Sequence, residues 1–204
     1  MVRDLARAGI RDARVLEAIA SVPRHRLLPE AMWEQAYAIA ALPIGDGQTI
    51  SSPEVVARMT EALELAGSEQ VLEVGTGSAY QAAVLARLAD RVVSVERIPR
   101  LAARARRSLD ALGVTNVVVY LGDGSLGRPA EAPFDAIVVT AAGPRVPPPL
   151  LAQLAPGGRL VGPFGERGRQ ELLRIRKQAD GRLVRERLGA CRFVDLVGQH
   201  GWAA

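Results

Sequence analysis

Apolar positions along the chain fall into two alternating rhythms. Short runs rich in Val, Ile and Leu, bounded by turn formers, occur at Val71 to Val74, Val92 to Glu96, Val117 to Asp123, Ala136 to Ala142 and Gly157 to Gly165. Such runs are apolar throughout rather than at every second position, as strands buried on both faces require. Between them apolar residues recur at helical spacing, in "AYQAAVLARLA" after the first run and "RLAARARRSLDALG" after the second. The second of these closes on Gly113, a favourable residue just beyond a helix end. "PPPLLAQLAPGG" is expected to open a helix at its prolines and close it at Pro156-Gly157. Strand alternating with helix predicts an α/β fold: a doubly wound, mostly parallel sheet with helices on both faces.

The two ends depart from this rhythm. In "QELLRIRKQADGRLVRERLGACRFVDLVG" the pair Asp180-Gly181 separates two strand-like runs, a hairpin signal that predicts an antiparallel edge. The first ~50 residues are expected to be helical, at Asp4 to Ala8 and Asp12 to Ser21, followed by the proline-interrupted "SVPRHRLLPE". The expected organisation is one domain: an N-terminal helical extension over residues 1–52, an α/β core over 53–165 and antiparallel strands over 166–204. Serine caps helices and proline favours their first position, so Ser52-Pro53 in "LPIGDGQTISSPE" reads as a helix start. Ser51 is then left without a structural duty.

Composition narrows the class. Half of the 204 residues are hydrophobic but only 4% are aromatic, so the core must be aliphatic. No apolar run approaches the ~18 residues of a membrane span. The charged "MVRDLARAGIRDARV" lacks the apolar stretch of a secretory leader, and none is expected. A single cysteine, Cys191, excludes an internal disulfide framework, and with only His25 and His200 no metal site is expected. These features fit a reduced, cytoplasmic protein. The net charge of +4 comes largely from arginines spread along helices, without a concentrated patch interleaved with aromatics, so neither nucleic acid nor membrane is expected as a partner.

The chemistry concentrates in "VLEVGTGSAY". A glycine-rich turn after the first strand of such a sheet admits a ligand to the backbone. Ser78 and Gln81 have the spacing of a capping box for the next helix. No Gly-Lys-Ser/Thr follows, which excludes a phosphate-binding P-loop. Tyr80 stands where a dinucleotide fingerprint needs a small residue. The pattern is instead E-x-G-x-G-x-A, from Glu73 through Gly75, Thr76 and Gly77, the shape of S-adenosylmethionine sites. Glu96 ends the second strand, 96 − 77 = 19 positions after Gly77, where a carboxylate can accept from ribose hydroxyls. Asp123 ends the third strand, where it can reach an adenine amino group. All three features fall at carboxyl ends of neighbouring strands, the place where ligands bind in open α/β sheets.

"VPRHRLLPE", "LPIGDGQTIS", "VLEVGTGS-Y", "SVER", "GDGS", "APFDAIVVTAA" and "RFV-LVG" occur in this order, and with them nearly the whole chain resembles the protein-L-isoaspartate O-methyltransferases. The resemblance implies a Rossmann-like methyltransferase fold. It implies methyl transfer from S-adenosyl-L-methionine to the α-carboxylate of L-isoaspartyl residues, leaving S-adenosyl-L-homocysteine and starting repair through a succinimide. Glu73, Gly75, Thr76, Gly77, Glu96, Arg97, Asp123 and Gly124 are then the expected cofactor-binding residues. Ser51 is the expected catalytic residue, with Thr49, Ile50, Ala141 and Ala142 on the substrate. Damaged proteins and peptides are the expected partners of a monomer. Four departures accompany the match: Ala79 for the usual glycine, Ser52 for glutamine, Ala38-Ile39-Ala40-Ala41 where an acidic residue is common, and Asp195 for proline. Ala79 is expected either to crowd the cofactor or to stiffen the helix start.

The chemistry of a carboxylate acceptor fits this inventory. It is ionised at neutral pH and needs no strong base, so positioning and desolvation suffice. Ser51 would orient the carboxylate rather than attack. A hydrolase is disfavoured because there is no G-x-S-x-G elbow and no histidine placed for Ser51. Two alternatives stay open: a methyltransferase of the same fold with another substrate, and a non-catalytic cofactor- or peptide-binding relative.

Overall fold

The computed structural model describes residues 1–203. Helices α1 (Val2–Arg7) and α2 (Ala13–Ser21) open the chain and bury Leu5, Val15, Ala18 and Ile19. Asp12 caps α2, accepting from the Arg14 N–H at 2.9 Å. Two short 3-10 turns follow, Arg24–Leu27 and Glu30–Gln35. The chain then departs from the expected helical extension. β1 (Leu42–Gly45) and β2 (Gln48–Ile50) pair as an antiparallel hairpin. Its turn is Asp46-Gly47, both at positive φ (51° and 69°), the conformation that tight Asp-Gly hairpin turns use. The strands are only four and three residues long, too short to show a period of two in the sequence.

Helix α3 (Pro53–Leu63) starts as its sequence requires. Pro53 occupies the first turn and the Ser52 Oγ accepts from the Val55 N–H at 3.3 Å. The core then alternates: β3 (Gln70–Val74), α4 (Tyr80–Leu85), β4 (Arg91–Glu96), α5 (Pro99–Ala111), β5 (Val117–Leu121), β6 (Phe134–Val139), α6 (Pro148–Gln153) and β7 (Leu154–Glu166). β8 (Arg169–Lys177) and β9 (Leu183–Cys191) form the hairpin announced by Asp180-Gly181. The sheet order is β5-β4-β3-β6-β7-β8-β9, parallel from β5 to β7 and antiparallel beyond. Pro156-Gly157 does not end α6, as expected, but lies within β7. The register against β6 jumps from Phe134↔Leu154 to Ala136↔Arg159, and the extra residues form a bulge that absorbs the proline and glycine.

Alternate residues of the central strands face two separate cores. Val71, Val92, Ala136 and Val138 pack on one side, and Leu72, Val74, Val93, Val95, Ile137 and Val139 on the other. Chain order reverses between β3 and β6, so their carboxyl ends flank a crevice at the switch point. Arg24 ties the N-terminal turns to the wall of that crevice. It is fully buried, donates to the carbonyls of Ala36 (2.8 Å) and Ala40 (3.2 Å), and lies 4.6 Å from the Tyr80 ring centroid. Burial pushes its guanidinium pKa down to about 10. No helix among the described residues is long and apolar enough to cross a membrane.

The Ser52 cap gives a direct stability test. Ser52→Ala should cost ~0.5–2 kcal/mol, as lost caps do, measured by denaturant unfolding. An unchanged midpoint would show that the 3.3 Å contact contributes nothing.

Candidate active site

A cleft opens at the carboxyl ends of β3, β4 and β6, between the β1–β2 hairpin and the C-terminal segment. Its empty space, open mouth included, is about 740 Å³. One side is the turn from β3 to α4. Gly75 has φ 98°, and a Cβ there would lie 2.5 Å from the Thr140 Oγ1. That hydroxyl is committed to the turn, donating toward the carbonyls of Val74 (2.9 Å) and Gly75 (2.5 Å). Gly77 has φ 53°, and its N–H donates to the Glu96 Oε2 at 2.8 Å. The Glu96 Oε1 accepts from the Ile98 N–H at 2.9 Å. Each carboxylate oxygen retains capacity for a further hydrogen bond. Across the cleft, a Cβ on Gly124 would meet the Val74 Cγ1 at 2.6 Å.

Of the residues singled out in the sequence, the cleft gathers Thr49, Ile50, Ser51, Gly75, Thr76, Gly77, Glu96, Arg97, Gly124 and Ala141. The Ser51 hydroxyl has no hydrogen-bond partner among the described residues, in keeping with the cap duty falling to Ser52. Three expected residues do not line it. Glu73 is wholly buried beneath the turn, where Ser94 bridges it to Thr76: the Ser94 Oγ donates to Glu73 and lies 2.5 Å from the Thr76 Oγ1. Burial, helped by the nearby Glu96 charge and opposed by the Ser94 hydrogen bond, raises the Glu73 pKa to about 8. Glu73 is therefore a protonated support at neutral pH. Asp123 is held by its own chain, accepting from the Ser125 N–H (2.9 Å), the Ser125 Oγ (2.7 Å) and the Gln199 N–H (2.7 Å). Burial alone would raise its pKa, but those hydrogen bonds outweigh it and the net shift is downward. Ala142 is fully buried, its N–H given to the Val194 carbonyl and its carbonyl taken by Leu196 and Trp202.

These last contacts explain what the sequence did not disclose. They carry Val194 to Val197 into the cleft wall, so Asp195 lies there and is paired with Arg167 at 2.8 Å. Thr140, Tyr80 and Gln81 also line the cleft. Thr140 lies within the expected run Ala136 to Ala142, just past the observed end of β6 at Val139 and beside Ala141, and its place could have been read from that; the return of the C-terminal segment could not. His25 bonds the Tyr37 hydroxyl at 2.7 Å, and neither it nor His200 reaches the cleft.

The helix start at α4 also differs from expectation. Ser78 Oγ accepts from the Tyr80 N–H at 3.2 Å, while Gln81 turns away to donate to the Thr60 Oγ1 at 2.9 Å, so no capping box forms. Ala79 is the N-cap, fully buried, at φ 69°. It does not line the cleft, and its carbonyl accepts the first helical hydrogen bond, from the Ala83 N–H at 2.9 Å. Its cost is conformational: a Cβ in left-handed backbone is worth ~1–2 kcal/mol of strain.

Two stability measurements follow from these placements. Ala79→Gly should stabilise the fold by ~1 kcal/mol despite the added chain entropy, read by urea unfolding; a loss of stability would reject the strain account. For Glu73, the unfolded carboxyl ionises near the ordinary glutamate value of 4.5 and the folded one at about 8. The unfolded state therefore loses its proton first, and stability falls as pH rises through this window. Glu73→Gln should remove that slope in thermal melts between pH 5 and 8, and a slope identical to wild type would contradict the buried-acid assignment.

Known proteins resemble the chain over its whole length. The family profile described as Protein-L-isoaspartate(D-aspartate) O-methyltransferase (PCMT) matches residues 1–201. The Protein-L-isoaspartate O-methyltransferase of Geobacter metallireducens is 59% identical over 194 residues, 95% of this chain and 90% of the relative. That of Roseiflexus sp. is 54% identical over 204 residues, 100% of this chain and 93% of the relative. A solved protein-L-isoaspartate O-methyltransferase superposes with a TM-score of 0.88 at 31% identity, covering 98% of this chain and 66% of that one. A Plasmodium falciparum protein assigned to the same enzyme class was solved in complex with S-adenosyl-L-homocysteine; it gives a TM-score of 0.81 at 26% identity, covering 96% of both chains. The chain, in which a glycine turn, a strand-end glutamate and an unengaged serine meet at one cleft, belongs to the protein-L-isoaspartate(D-aspartate) O-methyltransferase family.

Proposed function

We propose that this protein transfers the methyl group of S-adenosyl-L-methionine to the α-carboxylate of L-isoaspartyl residues in damaged proteins and peptides, starting their repair through a succinimide. The observation that carries the reading is the Ser51 hydroxyl, without a hydrogen-bond partner among the described residues and lining the same cleft as the glycine turn and Glu96. The described lining contains no His, Lys or Cys, which suits an acceptor that arrives already ionised.

The cleft residues fit the cofactor. Glu96 offers two acceptors for the ribose hydroxyls, and Gly75, Gly77 and Gly124 keep open space that side chains would fill or backbone that side chains would strain. When bound, the cofactor supplies a methyl group on a sulfonium, its own leaving group. Ser51 donates a hydrogen bond that orients the incoming carboxylate, and Thr49 and Ile50 of β2 form the edge along which the peptide lies. Ala141 keeps the reacting space narrow, and Arg97 adds positive charge at the mouth for an anionic acceptor. Asp123 contributes by anchoring the C-terminal turn that walls the cleft, through the Gln199 N–H. The catalytic gain is orientation with exclusion of water rather than proton transfer. A cytoplasmic monomer is part of the proposal: a lone Cys191 suits a reducing compartment, and one chain lines the cleft from several directions.

Two substitutions separate the roles. Ser51→Ala should lower kcat/KM for an isoaspartyl peptide by about 10²-fold, with the melting temperature and S-adenosyl-L-homocysteine affinity intact. Full retained activity would remove Ser51 from the mechanism. Glu96→Ala should weaken S-adenosyl-L-homocysteine binding by ~1.5–3 kcal/mol, measured by calorimetry, and unchanged affinity would rule out the diol contact.

A further inference from the structure

Two cleft-lining residues carry a buried polar atom without a hydrogen-bond partner among the described residues: Tyr80, whose ring lies against the buried Arg24 guanidinium, and Gln81, which has no role in the account above. Gln81 is only 6% exposed, and its Oε1 has no hydrogen-bond partner among the described residues. The orientation of the amide follows from its neighbours. The Thr60 hydroxyl gives its one hydrogen to the Val56 carbonyl at 2.7 Å, a back-bond along α3. Toward Gln81, at 2.9 Å, it can therefore only accept. The nitrogen edge of the amide must face Thr60, and the oxygen is the edge left over. A buried acceptor without a donor is costly, and folded proteins rarely keep one unless a water or ligand completes it.

The position and chemistry of this acceptor select its partner. Glu96, at the end of β4, takes the ribose end of the cofactor in the reading above. Gln81 lies in the first turn of α4, is joined through Thr60 to the Val56 carbonyl of α3, and lines the same cleft as Val56, Ser51 and Glu96. With the ribose at Glu96, the methionine tail is the part of the cofactor left for the rest of the cleft wall. It carries a carboxylate, which only accepts, and an α-ammonium, which only donates. The substrate carboxylate also only accepts. Of the charged groups brought into the cleft, the ammonium alone matches an amide oxygen. We infer that Gln81 is a further cofactor-binding residue whose Oε1 accepts a hydrogen bond from the α-ammonium of the methionine tail. The inference rests on the proposed S-adenosylmethionine site, and it places in the chain a contact for the end of the cofactor that Glu96 does not reach.

Calorimetry with two ligands tests it: S-adenosyl-L-homocysteine, and 5′-methylthioadenosine, which keeps the adenosine and sulfur but lacks the amino-acid tail. Gln81→Met retains the side-chain length and removes the amide. It should bind S-adenosyl-L-homocysteine about tenfold more weakly, the loss of one hydrogen bond to a charged donor. Affinity for 5′-methylthioadenosine should stay within about twofold of wild type, and the unliganded melting temperature should not fall. Gln81→Glu keeps an acceptor and adds charge, so it should retain or tighten binding of S-adenosyl-L-homocysteine. Equal losses for both ligands, or unchanged affinity for S-adenosyl-L-homocysteine in Gln81→Met, would overturn the assignment. So would a large loss in Gln81→Glu alone, which would place the tail carboxylate, not the ammonium, at this residue. If the wild-type protein binds neither ligand, the cofactor reading itself fails and this contact falls with it.

Discussion

The site depends on a backbone path at the end of β3 that side chains would obstruct. Gly75 and Gly77 both hold positive φ, and Gly75 presses against Thr140 so closely that a methyl group would displace it. This turn lets β3, β4 and β6 end side by side while the chain bends into α4. It also aims the Gly77 N–H at Glu96, which fixes the carboxylate in the cleft. The same turn sets a limit on its neighbours. Ala79 shares the left-handed conformation without glycine's freedom and bears the strain as a buried residue outside the cleft.

Two carboxyl groups serve this turn in opposite ways. Glu96 stays at the cleft, accepting from the Gly77 N–H of the turn and from the Ile98 N–H just beyond β4. Glu73, one strand away, is sealed from water and raised to about 8, so it supports the loop as a neutral acid through Ser94. Keeping the buried one protonated avoids placing two adjacent negative charges in a dry interior. Arg24 meets the same difficulty differently: a fully buried cation, it relies on two carbonyls and the Tyr80 ring face, and it thereby joins the N-terminal turns to the cleft wall.

Sequence-level reasoning reached what is local. The parallel order of β3 to β7, the C-terminal hairpin at Asp180-Gly181, the Ser52 cap and the strand-end position of Glu96 all follow from periodicity and turn chemistry within a few residues. Much of the cofactor and serine assignment came instead from family resemblance, since a G-x-G turn alone does not specify a ligand. The misses are tertiary. Glu73 and Glu96 are both strand glutamates, and only packing separates the buried one from the one at the cleft. Asp123 is drawn off by Gln199, 76 positions away, and Val194 to Val197 reach the cleft through Ala142. The β1–β2 hairpin is not legible by period because its strands are too short, and only the dipeptide Asp46-Gly47 marks it in the sequence.

The central claim is that this cleft methylates isoaspartyl carboxylates. The direct measurement is transfer of a labelled methyl group from S-adenosyl-L-methionine to two peptides identical except that one carries L-isoaspartate and the other L-aspartate. Label should enter the isoaspartyl peptide as a base-labile ester and leave the aspartyl peptide at background. Equal labelling of both peptides, or none of either by protein shown to bind S-adenosyl-L-homocysteine, would contradict the account.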